Sequence, residues 1–421
     1  MKIGMQTWGS HGDVRPFVAL AEGLQRAGHE VTLVLTCVDN AAYAGMVSPT
    51  GVKIRMVASP VVDPAESEKI GRIAYRMNNP LKQLKMLLSL CFEPAEEAMF
   101  AAAQELAEES DVLIGHHFMY PTRIAAERAA KPFVSVLLSH AGVPTSYSHP
   151  LGLPFGHRFM WWLTRKLLHM AVSPYPNRLR RRLGMAPVTD VVNQIWLSDV
   201  LTLVGVSPSL CKREPDWAPS IQVCGFLDMP NMQLEGRLTD TLEAFLNAGE
   251  APVYMTFGSW TPRDIGLQTE TLRLFTDAAR RSGCRAIIQC HDAAACGFQS
   301  DGQILYVSAS PHHLIFPRCV AVVHHGGAGT TQATTLAGRP SVIVAHISEQ
   351  EHWALELRKL GVAGKPLKRR SVSARSLAAR IGAVLREPDM TRQAQLAARP
   401  MAQEDGVATA VRMIGDAVKS G

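Results

Sequence analysis

Residues 321–344 read AVVHHGGAGTTQATTLAGRPSVIV: an apolar run, two histidines, three glycines with an alanine among them, two threonines, and later a second apolar run. A short apolar stretch closed by glycines and followed by helix-compatible sequence reads as a strand turning into a helix, and PSVIV reads as the next strand. Such a unit predicts a parallel sheet. The start of the helix gathers backbone N–H groups and the positive end of the helix dipole, so the turn suits an anion. Gly326, Gly327 and Gly329 permit close backbone approach, Thr330 and Thr331 add hydroxyls, and the His325 ring can donate to a phosphate oxygen. No lysine follows the glycines, which separates the motif from a nucleoside-triphosphate loop. A plain tight turn is the other reading of the glycines alone.

The same alternation extends in both directions. PVYMTFGS, RAIIQC, ILYVS and VAVVHH read as strands, with helical stretches at 268–282, 330–338 and 349–360. Near the N-terminus, Lys2 to Thr7 is a short apolar run, GSHGD punctuates it, and Phe17, Leu20, Ala21 and Leu24 recur at helical spacing until Gly28 stops them. EVTLVLT, DVLIGH (111–116) and PFVSVLLS (132–139) follow as further strands. The expected class is α/β, with two Rossmann-like, doubly wound domains. The first covers 1–228 and the second 250–404, joined by a polar linker over 229–249 that lacks a strand. Open parallel sheets bind ligands at the carboxyl ends of their strands, so a cleft between two facing domains is the expected site.

Composition bounds the function. A chain of 421 residues exceeds the ~250–300 at which single cores stop growing, which agrees with two domains. The 43 Lys plus Arg against 37 Asp plus Glu leave a net +6, suited to a small anionic ligand and too diffuse for nucleic acid. The dense run Lys368 to Arg370 reads as a solvated turn. Eight cysteines without a CxxC pair read as buried free thiols in a reducing compartment. No signal-like apolar segment and no long uncharged run occurs, so a cytoplasmic protein without an integral membrane span is expected, with transient membrane contact left open. Between residues 151 and 185, Phe155, Phe159, Trp161 and Trp162 lie among basic residues. An amphipathic helix with its aromatic stripe packed inward is one reading, an apolar acceptor pocket or lid the other.

Metal is not expected. His324 and His325 are adjacent on a strand and point to opposite faces, and the chain holds no Asp-x-Asp. Charge on a departing diphosphate would be met by helix dipole, amides, His325 and hydroxyls.

Taken together, HHGGAGTT, SPHHLIF (310–316), SEQEHWA (348–354) and the N-terminal GSHGDVRPFVALAEGLQRAGHEVTL resemble the GT-B glycosyltransferases that use nucleotide sugars. The likeness spans nearly the whole chain and is strongest to sterol glucosyltransferases, the glycopeptide and macrolide antibiotic glycosyltransferases, and the rhamnolipid rhamnosyltransferase chain. It implies a UDP- or dTDP-sugar donor, no further cofactor, and a lipophilic small-molecule acceptor. It places Ser310 and His312 beside the nucleobase and ribose or diphosphate. His325, Gly327, Ala328, Gly329 and Thr330 would hold the diphosphate, with Ser259 and Ser10 joining the donor set. Glu349 and Gln350 would bind sugar hydroxyls, at a pair that usually reads Asp-Gln. PHHLIF departs in the same way from the usual PHDWLF. The resemblance also implies that the amphipathic segment 405–421 crosses back onto the first domain.

Inverting transfer, as the family implies, needs a general base for the acceptor hydroxyl and a stabilised leaving group. The loop GSHGDV offers His11 and Asp13. The family's pattern favours Asp13 as the base, with His11 in support, while capping of a helix starting near Val14 is the structural alternative for Asp13. His140, Trp161 and Trp162 are candidates for the acceptor side. A nucleotide-sugar epimerase on the same fold and a non-catalytic sugar-nucleotide-binding protein are the competing functions. An NAD-dependent oxidoreductase would need GxGxxG, of which Gly9 and Gly12 supply only part.

Overall fold

The computed structural model describes residues 1–37, 43, 45–58, 69, 70, 73, 77, 79–152, 155–229, 238–308 and 310–420. The chain forms two compact units. One comprises Met1–Val62, Asn79–Asp228 and Glu404–Gly421, the other Asp63–Asn78 and Met229–Gln403.

The first unit is built on β1 (Lys2–Gly9), β2 (Glu30–Cys37), β3 (Lys53–Met56), β4 (Val112–His116), β5 (Phe133–Leu137), β6 (Leu201–Val204) and β7 (Ile221–Val223). Their spatial order is 3-2-1-4-5-6-7 and every pair is parallel. The central strands are buried on both faces, which is why they read as continuous apolar runs rather than alternating ones. The helix His11–Arg26 returns the chain from β1 to β2 and buries Val14, Phe17, Val18, Leu20, Ala21 and Leu24. Its outer side receives the last helix, Gly406–Ser420, in direct contact. A Cβ built on Gly23 would lie 2.2 Å from Val407 Cγ1. Strands β3, β6 and β7 have no counterpart in the sequence reading. They are three to four residues long, too short for a periodic signal.

The second unit repeats the plan with β8 (Val253–Met255), β9 (Ala286–Gln289), β10 (Ile304–Val307), β11 (Ala321–His324), β12 (Ser341–Ala345) and β13 (Leu367–Lys368), in the order 10-9-8-11-12-13, again all parallel. Val253, Met255, Ile288 and Val323 share one core with Leu272 and Phe275 of the helix Ile265–Ser282. The opposite face packs Tyr254, Ile287 and Val322 against Leu242, Phe245 and Leu246. Those last three belong to the helix Asp240–Asn247, within the span read from sequence as linker. The tract 229–249 thus contributes core to the second unit, while residues 230–237 of it lie outside the described residues.

In both sheets the strand order reverses direction once, between β1 and β4 and between β8 and β11. Helices leave to opposite faces at such a point, opening a crevice at the carboxyl ends of the strands.

Candidate active site

At the first reversal, β1 runs through Gly9 into Ser10, the N-cap of the helix His11–Arg26. Asp13 is therefore the third helical residue rather than the cap of a helix starting near Val14. Its Oδ2 accepts from the Ser10 amide at 2.8 Å and from the Ser10 hydroxyl at 3.1 Å, closing a capping box. Gly9 makes this geometry available. It adopts φ 141°, and a Cβ there would lie 2.3 Å from Asp13 Oδ2. The other carboxylate oxygen, Oδ1, points across the reversal to His116 Nε2 at 3.8 Å. His116 ends β4 and is buried, and its Nδ1 accepts from the Phe118 amide, so the ring proton sits on Nε2 and faces Asp13. Burial pulls the His116 pKa down to about 3, which keeps the ring neutral.

Desolvation raises the pKa of Asp13, against the lowering pull of the two Ser10 bonds. With 35% of its side chain still exposed, the carboxylate is both partly dehydrated and reachable. That combination suits a proton acceptor. His11 is exposed, and its Nδ1 lies 3.0 Å from the Tyr43 hydroxyl. His116 was not singled out in the sequence. The available signal was a histidine closing a parallel strand, where ligands of such sheets bind.

At the second reversal, β11 ends in His324 and continues through His325, Gly326 and Gly327 into the helix Ala328–Leu336. His324 turns back into the protein, where its Nδ1 accepts from the Gly326 amide at 3.1 Å and burial takes its pKa to about 3. His325 lies on the other side, packed between two glycines. A Cβ on Gly327 would sit 2.3 Å from its Nε2, and one on Gly258 2.8 Å from its Cε1. Burial lowers its pKa to about 4, so near neutrality its ring is uncharged. Gly258 opens the short turn Gly258–Trp260 after β8, which holds Ser259 exposed.

The helix that follows His325 has no side-chain cap. Gly327 stands at the N-cap, no acid lies in the first turn, and space around the Cα of Gly329 is open. The amides of Ala328, Gly329 and Thr330 precede the first intrahelical donor, Thr331, which bonds to the Gly327 carbonyl at 2.9 Å. Positive partial charge at this end is thus left for something other than a side chain to meet.

The remaining candidates occupy varied settings. Ser310 is buried, its hydroxyl donating to the Ser308 carbonyl at 3.2 Å. His312 stacks on Phe316 with ring centroids 4.4 Å apart. Glu349 is exposed in the first turn of the helix Ser348–Lys359. Gln350 is buried, and its Oε1 accepts from the amides of His346 at 2.7 Å and Ile347 at 3.3 Å. Its side-chain carbonyl oxygen is therefore committed to capping. His140 begins a short turn after β5. Trp161 is buried and donates to the Ser148 carbonyl at 2.8 Å. Trp162, Phe155 and Phe159 are exposed, so the expectation of an inward-packed aromatic stripe fails for all but Trp161.

Residues 299–413 match the family described as erythromycin biosynthesis protein CIII-like, C-terminal domain. The chain is 30% identical to sterol 3-beta-glucosyltransferase UGT80A2 of Arabidopsis thaliana, over 98% of its own length and 65% of that relative, so it spans slightly less than two thirds of the plant protein. It is 28% identical to O-mycaminosyltylonolide 6-deoxyallosyltransferase of Streptomyces fradiae, over 98% of this chain and 97% of that one. Among solved structures, the Streptomyces sp. SF2575 glycosyltransferase SsfS6, complexed with thymidine diphosphate, shares the fold with a TM-score of 0.65 at 19% identity, over 99% of both chains. With two doubly wound parallel sheets and these likenesses together, the chain has the fold of the GT-B glycosyltransferases and is similar in sequence to sterol and antibiotic glycosyltransferases.

Proposed function

We propose that this protein moves a sugar from a UDP- or dTDP-linked donor to a hydroxyl of a lipophilic small molecule, with inversion, without a metal ion, and with Asp13 as general base. The observation that carries the proposal is the start of the helix Ala328–Leu336, free of any side-chain cap and flanked by the neutral ring of His325. A diphosphate supplies the missing negative charge there. SsfS6, a protein of the same fold, is complexed with thymidine diphosphate, which supports that ligand class.

In this reading the second unit, chiefly Met229–Gln403, binds the donor and the first unit the acceptor. The acceptor hydroxyl gives its proton to Asp13 Oδ1, the oxygen not engaged by Ser10. The acceptor oxygen then bonds to the anomeric carbon while the bond from that carbon to the diphosphate breaks, and the electron pair leaves with the diphosphate. One displacement inverts the anomeric centre. Backbone amides, Thr330 and His325 receive the growing charge on the leaving group. The neutral ring of His116 faces the same carboxylate, its Nε2 3.8 Å from Oδ1. Eight free cysteines, none in a disulfide among the described residues, support a cytoplasmic setting.

The test is turnover with UDP- and dTDP-sugars against a panel of hydrophobic alcohols, with and without a chelator. A glycoside of inverted configuration, formed equally well in the chelator, is expected. An isomerised donor without a glycoside would instead indicate an epimerase, and loss of activity in the chelator would remove the metal-free mechanism.

A further inference from the structure

The helix His157–Val172 in the first unit departs from the usual division of a surface helix into apolar inner and polar outer faces. Only Trp161, Ala171 and Val172 are buried along its length. Its most exposed line begins just before it at Phe155 and continues through Phe159, Trp162, Lys166 and Met170, at successive spacings of four, three, four and four residues, one ridge of a helix. Phe155 is 79% exposed, Phe159 63%, Trp162 55% and Met170 63%. Phe159 and Trp162 stack on each other at 5.8 Å in the open. Aromatic side chains held outward in this way are costly in water.

The charge around the ridge is one-sided. Between Leu151 and Met185 the chain has seven Lys or Arg and no Asp or Glu, against a net +6 for the whole chain. Arg165, Arg178, Arg180 and Arg182 are paired with acids from elsewhere in the unit. Exposed Arg158 and Lys166 form no ion pair among the described residues. An aromatic ridge with free cations on it and beside it matches the interface of an anionic bilayer, where rings settle at headgroup depth and lysine or arginine meets phosphate. No described helix is long and apolar enough to cross a membrane, so the contact is with the surface.

We propose that the Phe155–Met170 ridge docks this protein on anionic membrane surfaces. The inference rests on exposure and charge alone and stands apart from the catalytic reading.

Co-sedimentation of the full chain with vesicles of phosphatidylcholine, alone or mixed with phosphatidylglycerol, tests it without any turnover. Strong association with the anionic vesicles, weakened by salt and at least about tenfold lower on phosphatidylcholine alone, is expected. Phe159→Ser with Trp162→Ser removes the aromatic contact, and Arg158→Glu with Lys166→Glu reverses the charges. Each pair should lower the partition coefficient by about tenfold or more, with an unchanged melting temperature showing that the fold persists. Absence of vesicle binding by the wild type overturns the proposal, as does equal binding by both double variants. So does an effect of the aromatic pair confined to the acceptor KM, which would assign the ridge to small-molecule acceptors.

Discussion

The turns after β1 and after β11 carry the chain from a parallel strand through glycine into a helix at the reversal point of a sheet, yet they treat the helix N-terminus in opposite ways. The first closes on itself: Ser10 caps the helix and Asp13, three residues on, bonds back to the Ser10 amide. The second puts Gly327 and Thr330 at the corresponding positions and provides no side-chain cap. A carboxylate supplied internally leaves little attraction for an outside anion. An uncapped start keeps its amides for a ligand. The same local architecture therefore offers a partly exposed carboxylate in one unit and an uncapped helix start in the other, through the choice of two side chains.

Breaking the first turn has the largest expected effect. Asp13→Asn preserves the shape and an acceptor oxygen for the cap while removing the base, so the transfer rate should fall ~10²–10⁴-fold. The dTDP-induced rise in melting temperature should persist. Equal loss of both would move Asp13 to the donor site.

Making the second turn resemble the first comes next. Thr330→Asp places a carboxylate at the third helical position, as Asp13 is in the first helix, and should weaken UDP or dTDP binding roughly 100-fold by calorimetry, through like-charge repulsion in a partly dehydrated site. The unliganded protein should hold or gain stability, by about 0.3–1 kcal/mol from the helix dipole. A variant that binds nucleotide normally would show that the diphosphate lies elsewhere.

The glycines of the second turn separate folding from binding. Gly326 has φ 90°, and a Cβ there would lie 3.0 Å from both the backbone carbonyl oxygen of Gln350 and Ile343 Cγ2. Gly326→Ala should cost ~1–3 kcal/mol in denaturant titration. Gly329 meets nothing within 4 Å, so Gly329→Ala should leave stability within about 1 kcal/mol and show its effect only on nucleotide affinity.

The pH responses of the two turns should also diverge. As the proposed base, Asp13 works only when ionised, so transfer should rise with pH through a carboxyl pKa held above the ordinary 3.8. The neutral histidines act on stability. His324 and His325 have folded pKa values of about 3 and 4 against an ordinary 6.5, so below 6.5 the unfolded chain binds more protons and stability is lost as pH falls toward those values. In melting curves recorded from about pH 7.5 to 5, His325→Gln should flatten this acid limb. An unchanged limb would mean that His325 is not buried neutral in the native state.

Much of the fold was legible because parallel strands buried on both faces leave continuous apolar runs, Gly28 marks the end of the first helix, and Gly326 marks where the run of β11 turns. The short strands β3, β6 and β7 and the helix Asp240–Asn247 were not, since a few residues carry no period and a polar stretch can hide three core side chains. At the candidate site, the GSHGDV loop and the HHGGAGTT turn could be picked out by residue type alone. The capping box at Asp13 depended on where the helix begins, which ±2 residues of uncertainty in any boundary obscures. His116 lies 103 positions beyond Asp13 and reaches it only because β4 pairs with β1.

The residues by themselves determined the two parallel sheets and an anion-suited turn, because periodicity, glycine placement and helix-end chemistry act over a few neighbours. Tertiary structure alone decided that His116 stands opposite Asp13, that Gln350 caps a helix with its carbonyl oxygen, and that Phe159 and Trp162 face outward. Each depends on what a strand or helix packs against, and that partner comes from distant parts of the chain.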